Sequence, residues 1–163
     1  MSYKQPVWTR KIPTPALLGL ATLGPLGRRL PAPGTWGSVA GMVYFSLFFR
    51  SLGPAEFVLL AAAGAWVAVA VCGEAELRLG RTDPGEVILD EFVAMPFCYF
   101  GWGHMVHLLP FWAVCLVGLA AFRFFDIFKP LGINRLQKLP GGLGVVTDDL
   151  AAALATCVVV HFA

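Results

Sequence analysis

Long apolar runs and short polar clusters alternate along this chain, and the alternation predicts helices far more than strands. The clearest run is 55–73, unbroken except for Glu56 near its start, and it predicts a membrane-spanning helix. A second run, 106–125, predicts another span, bounded by Pro110 and Arg123. Two runs are shorter: 39–49, and 92–102 with Pro96 inside it and an N-terminus that could lie as early as Val87. At about 1.5 Å per residue each reaches roughly half of a ~30 Å hydrocarbon core. Residues 16–27 are apolar but broken by glycine and proline, which predicts a surface-lying or re-entrant segment. Leu150 to Phe162 predicts a last apolar helix, and 126–147 a loop carrying Lys129, Arg135 and Lys138.

Composition turns this pattern into a fold class. Of 163 residues, 58% are hydrophobic and only 13% charged, about half the usual charged share of a soluble domain. The mean hydropathy is +0.73. The expectation is all-α: a single membrane-embedded domain over 1–163, built as a small polytopic helical bundle with short or re-entrant helices. Residues 1–15 form a basic lead-in with Lys4, Arg10 and Lys11, read as uncleaved because it lacks an apolar core. A net charge of +2 gives no argument for a nucleic-acid partner. Cys72, Cys98, Cys115 and Cys157 lie in or beside apolar runs without a CxxC pair, so they read as packing residues.

The charges are not spread evenly. Pairing 39–49 with 55–73, and 92–102 with 106–125, returns the chain each time to the side it left. The loop Pro33-Gly34-Thr35-Trp36-Gly37-Ser38, the segment 83–91, the segment 123–130 and the segment 141–149 then all face one side. Eleven of the twelve Lys and Arg lie on that side or at its edge, Arg50 being the exception. The positive-inside rule makes that side cytosolic.

Seven of the ten acids fall in three clusters on this face: Asp83, Glu86, Asp90 and Glu91; Asp126; Asp148 and Asp149. Glu86 and Asp90 are spaced i, i+4, which would put them on one helical face, where like charges repel. A divalent cation with a taste for hard oxygen ligands, such as Mg²⁺, is the usual way to hold such groups together. The competing reading is a solvated helix N-terminus whose dipole favours acids. Asp148 and Asp149 follow Gly141, Gly142 and Gly144 at the expected entry of the last helix, where they read as ligands or as caps on a glycine turn. Arg123 and Lys129 could bind phosphate oxygens, or snorkel at the interface. Thr35 or Ser38 could cap the helix that follows.

Two patterns are set aside. Cys72 and Arg78 have the Cys-x5-Arg spacing of thiolate phosphatases, but Glu74 and Glu76 inside the loop would oppose both phosphate and thiolate. His104 and His107 sit at the opposite turn with no third ligand and read as an interfacial pair.

Four ordered blocks together resemble the phosphatidylglycerophosphatase A family: Pro33-Gly34-Thr35 with Gly37-Ser38; Asp83 and Gly85 with Asp90-Glu91-Phe92; Arg123-Phe124-Phe125-Asp126 with Lys129-Pro130; and Gly141-Gly142, Gly144 and Asp148-Asp149. Pro84 and the stretch Arg28-Arg29-Leu30-Pro31 are departures that remove no candidate ligand. The resemblance implies a Mg²⁺-dependent phosphatase of a bacterial cytoplasmic membrane, converting phosphatidylglycerophosphate to phosphatidylglycerol and phosphate. Its partners would be the phospholipid substrate and the bilayer. On this reading Asp83, Asp90, Glu91, Asp148 and Asp149 hold the metal, and Asp126 and Lys129 join them in catalysis. Arg123 and Lys129 bind the phosphate, helped by Arg28, Arg29, Thr35, Ser38 and Gly142. Phosphatidic acid is an alternative substrate. A cation-binding transporter component is the alternative from another class; it would want its acids at mid-span rather than at helix ends.

Overall fold

The computed structural model describes residues 6–104 and 109–162; Lys4 and His107 lie outside them. Among the described residues there are helices and turns and no strand. The long helices are α5 (Pro54–Leu79), α7 (Phe111–Phe128) and α8 (Gly142–Phe162), each long and apolar enough to cross a membrane. Two helices complete the bundle: α4 (Pro33–Tyr44), which runs on through a π-helical turn at Phe45–Phe49, and α6 (Leu89–Cys98). Three short helices precede them: α1 (Val7–Arg10) within the basic lead-in, and α2 (Thr14–Ala21) and α3 (Pro25–Arg29) about the broken apolar segment expected at 16–27. A 3₁₀ stretch, Pro130–Lys138, links α7 to α8.

Boundaries follow local chemistry. Pro54 sits in the first turn of α5, where a missing N–H costs nothing, and Gly80 ends the helix at a φ of 64°. The helix is longer than the apolar run because Glu74 and Arg78, four apart, pair across its last turns at 3.0 Å. Two expectations are corrected here. α8 begins at Gly142 rather than Leu150, so 142–147 is helix and not loop. α4 begins at Pro33, with Ala32 left-handed before it, so neither Thr35 nor Ser38 is a cap; both lie inside the helix, and the Ser38 hydroxyl donates to the Gly34 carbonyl at 2.9 Å.

α8 lies against α5, α6, α7 and the 3₁₀ stretch, and α4 lies against α6. At Gly142 the approach is backbone to backbone: a Cβ there would overlap the Val69 carbonyl of α5 and stand 2.7 Å from the Gly73 nitrogen. No residue but glycine permits that spacing, the small-residue solution typical of membrane helices. The Tyr99 hydroxyl is buried and donates to the Cys115 carbonyl at 2.8 Å, tying the end of α6 to α7.

The outside is oil and the inside holds charge. Leu59, Trp66, Trp112, Phe128 and Leu47 are exposed, whereas Glu74, Asp90, Asp148 and Asp149 are buried. In water so much exposed apolar surface would be a liability; against acyl chains it is the matching face. The three spanning helices and this inverted surface make the protein a membrane protein.

Candidate functional site

The acids converge where the sequence suggested, by a partly different route. Residues 83–88 form a turn and not a helix. The chain there is pinned by the Ile88 amide, which donates to the Ala21 carbonyl at 3.0 Å. α6 starts at Leu89, so Glu86 and Asp90 do not share a helical face; Glu86 pairs with Arg81 instead. Asp90 and Glu91 open α6, and α8 brings Asp148 and Asp149 up beside them from its second turn.

Asp90, Glu91 and Asp149 each place one carboxylate oxygen so that all three lie within 4.8 Å of one another. The pocket they face has a volume of about 170 Å³ and is lined also by Asp83, Gly85, Val87, Asp126, Lys129, Val145 and Asp148. Every acid of the predicted metal set therefore borders one cavity. They are not equivalent. Asp148 is ion-paired with Lys129, which reaches over from the end of α7. Asp126 receives Arg123 Nη1 at 2.7 Å. Asp83 stands on the exposed rim in a left-handed turn with φ of 48°; its amide donates to Glu76 Oε1 at 2.7 Å, and its carboxylate accepts from Gln137 at 3.4 Å.

Arg123 of α7 reaches toward the start of α6 and the first turns of α4, and is not among the residues lining the pocket. Besides Asp126 it lies 3.8 Å from Glu91 Oε1 and 3.4 Å from Ser38 Oγ. The Gly-Thr-Trp-Gly segment of α4 explains itself here. A Cβ on Gly34 would strike Glu91 Oε1 and come within 3.2 Å of Arg123; one on Gly37 would stand 3.3 Å from Glu91 Oε2. These glycines let α4 close the wall behind Glu91. Of the remaining expected substrate contacts, Thr35, Arg28 and Arg29 are exposed, and neither arginine pairs with a carboxylate among the described residues. Gly142 is buried against α5.

Electrostatics sharpen the picture. α6 is too short to span, and burial at its start pushes Asp90 up to about 7. Glu91 is raised well above the carboxylate range, by burial first and then by the neighbouring charge of Asp90. For Lys129, burial lowers its pKa, but the bond and charge of Asp148, with Asp149 and Asp126 behind it, outweigh that and leave it raised. Two buried oxygens, Glu91 Oε2 and Asp148 Oδ1, have no hydrogen-bond partner. Three crowded hard-oxygen donors, one of them with an orphaned buried oxygen, fit a divalent cation.

Val145 was not singled out in the sequence. Val145 lines the pocket because 145, 148 and 149 are spaced i, i+3, i+4 on α8, a signal that appears only once that helix is started at Gly142. Cys72 is buried within α5, and Arg78 points away from it, donating to the Ile12 carbonyl at 2.8 Å and the Thr9 carbonyl at 3.0 Å. The thiolate-phosphatase pattern is therefore structural.

Comparison with known proteins identifies the family. The family model described as Phosphatidylglycerophosphatase A matches residues 19–163. A phosphatidylglycerophosphatase A of Haemophilus influenzae is 34% identical over 133 residues, covering 80% of this chain and 77% of its own. A protein of Bacteroides thetaiotaomicron, named as a candidate phosphatidylinositol-3-phosphatase, is 33% identical over 147 residues, covering 81% and 83%. A phosphatidylglycerophosphatase A of Escherichia coli is 27% identical over 132 residues, covering 80% and 73%. No solved structure matches the chain.

Proposed function

Because the chain belongs to the phosphatidylglycerophosphatase A family, we propose that it hydrolyses phosphatidylglycerophosphate to phosphatidylglycerol and inorganic phosphate, using Mg²⁺ held by Asp90, Glu91 and Asp149. The observation that carries the metal is the meeting of those three carboxylates within 4.8 Å in a buried pocket whose Glu91 Oε2 is otherwise orphaned. Bound there, the cation would draw charge from the phosphoryl oxygens and make water a better nucleophile.

The chain's own residues supply the rest. The lipid lies with its tails along the apolar outer surface and its phosphomonoester in the pocket. Lys129 offsets charge on the phosphate while its bond to Asp148 fixes where the amine sits. Arg123, clamped by Asp126, offsets the charge of Glu91 beside the pocket and holds that carboxylate in place. Hydrolysis joins the oxygen of water to phosphorus and breaks the phosphorus–glycerol oxygen bond, so one proton moves from the water to the departing alkoxide. Asp148 Oδ1, buried and without a partner, is the atom we assign to orient that water and take its proton. The charge distribution along the chain supports a cytosolic orientation of this end.

The name of the Bacteroides relative favours a second reading, the same chemistry on the phosphomonoester of another phospholipid. One assay separates them. Purified protein in detergent is given phosphatidylglycerophosphate, phosphatidylinositol 3-phosphate and phosphatidic acid, each with Mg²⁺ and with EDTA. Phosphate release from the first alone, abolished by EDTA, is the expected result. Release that EDTA leaves intact overturns the metal, and preference for another lipid overturns the substrate.

A further inference from the structure

The end of the bundle away from the carboxylates carries a second built feature. The acids meet the N-terminal half of α4 and the C-terminal half of α5; Arg50 and Pro54 stand at the other ends of those helices. There a cavity of about 300 Å³ is bordered by Arg50, Leu52, Pro54 and Trp102, with Phe57 and Phe100 at its floor. Below it, between α5, α6 and α8, runs an apolar slot of about 180 Å³ bordered by Val58, Phe97, Leu154 and Cys157, and again by Phe57 and Phe100. The two adjoin at those rings and make up a recess that is polar and cationic on the Arg50 side and apolar on the other.

Arg50 is held at the mouth by aromatic faces. Its guanidinium carbon lies 4.4 Å from the Phe111 ring centre and 5.5 Å from that of Trp102. Rings on its faces leave the in-plane N–H fork to find acceptors elsewhere. Among the described residues no carboxylate pairs with it. The one acid of this end, Glu56, is folded back toward Gly53 and does not border the recess. A fixed cation above an apolar slot, in a molecule whose outer surface faces acyl chains, selects an amphiphile with an anionic head.

We infer that this recess is a second, non-catalytic lipid site that binds one anionic phospholipid, its phosphate against Arg50 and an acyl chain in the slot. The inference stands apart from the catalytic reading, because none of its residues borders the carboxylate pocket.

The test reads Trp102, which borders this recess; Trp36 lies on α4 near the carboxylates. The full-length protein is placed in vesicles containing phosphatidylglycerol or phosphatidylcholine with brominated acyl chains, which quench indole fluorescence at contact. The difference between wild type and Trp102→Phe isolates the Trp102 signal. Half-quenching by brominated phosphatidylglycerol is expected at an about fivefold lower mole fraction than by brominated phosphatidylcholine, the scale of one interfacial cation–anion contact. Arg50→Gln should remove that preference and Arg50→Lys keep part of it, with phosphate release unchanged in both as evidence of folding. Val58→Phe, which fills the slot from its rim without adding an indole, should weaken quenching by both lipids. Equal quenching by the two lipids in wild type, or a preference that survives Arg50→Gln, overturns the proposal.

Discussion

Asp149 of α8 meets Asp90 of α6 in the wall of the pocket, with Glu91 completing a set of carboxylate oxygens within 4.8 Å of one another. Two like charges so close and so buried cost stability unless something positive sits between them. Asp149→Asn should therefore have two opposite effects. Phosphate release should fall by at least about 10²-fold, the loss of roughly 2.7 kcal/mol of transition-state stabilisation. In EDTA, however, the variant should melt about 2–4 °C above wild type, as expected for roughly 1 kcal/mol gained in a protein of this size. Added Mg²⁺ should raise the melting temperature of wild type but not of the variant. Thermal unfolding with and without Mg²⁺ reads both; a variant that still responds to Mg²⁺ places the metal elsewhere.

Acidity gives a second handle. The Asp90 carboxyl rises from its ordinary 3.8 to about 7 on folding, so the folded protein holds a proton that the unfolded chain releases. Stability from this group is full below about pH 4 and is lost as pH rises toward about 7. Without metal, melting temperature should decline across that window. A bound cation displaces the proton and should flatten or reverse the decline as pH approaches about 7. A melting series from pH 5 to 8 in EDTA and in Mg²⁺ checks this; parallel curves in the two conditions would remove Asp90 from the metal site.

The pair of Lys129 and Asp148 separates charge balance from chemistry. Lys129→Met leaves a buried carboxylate without its partner and should cost up to roughly 3 kcal/mol, with Lys129 partly exposed and so toward the lower side. Adding Asp148→Asn should restore most of that stability. It should not restore turnover, because both groups face the phosphate. Stability measurements and phosphate-release rates on the two single variants and the double variant give the answer. Recovery of turnover in the double variant would reduce the pair to a structural one.

Glycine substitutions distinguish tolerance from necessity. Gly142→Ala drives a methyl group into the backbone of α5 and should destabilise by about 1–3 kcal/mol while displacing Asp148 and Asp149 from the pocket. Gly64→Ala is the control. Its new Cβ would meet nothing nearer than Val93 Cγ1 at 3.8 Å, so it should be neutral or stabilising by up to about 1 kcal/mol. Paired melting curves and turnover rates test the contrast, and an active, stable Gly142→Ala variant would contradict the close packing described here.

Much of this was readable in advance, for identifiable reasons. Spans announce themselves because 55–73 and 106–125 are long apolar runs, the second realised as the helix Phe111–Phe128, and acids are rare in such a chain, so Asp90, Glu91, Asp126, Asp148 and Asp149 stood out and do border one pocket. What misled was local grammar. The glycines at 141–144 read as a loop because their helix-breaking tendency is weighed in water; against α5 the same absence of side chains is what lets α8 begin there. Glu86 was assigned to a helical face with Asp90, but Pro84 and Gly85 keep that stretch a turn and send Glu86 to Arg81. Which acids pair with cations and which stay free for a metal depends on tertiary reach, as when Lys129 crosses to another helix, and no local spacing carries that.

Lys129 also carries a conformational burden. It ends α7 at a φ of 44° and ψ of 49°, left-handed values that a side chain ordinarily avoids at a cost of about 1–2 kcal/mol and that glycine adopts freely. The chain thus holds an uncomfortable backbone to aim one amine at Asp148. Here comfort and usefulness point to different residues: a search guided by folding stability alone would write glycine at position 129 and erase the cation of the site, so a design method that scores only the fold would improve this protein into silence.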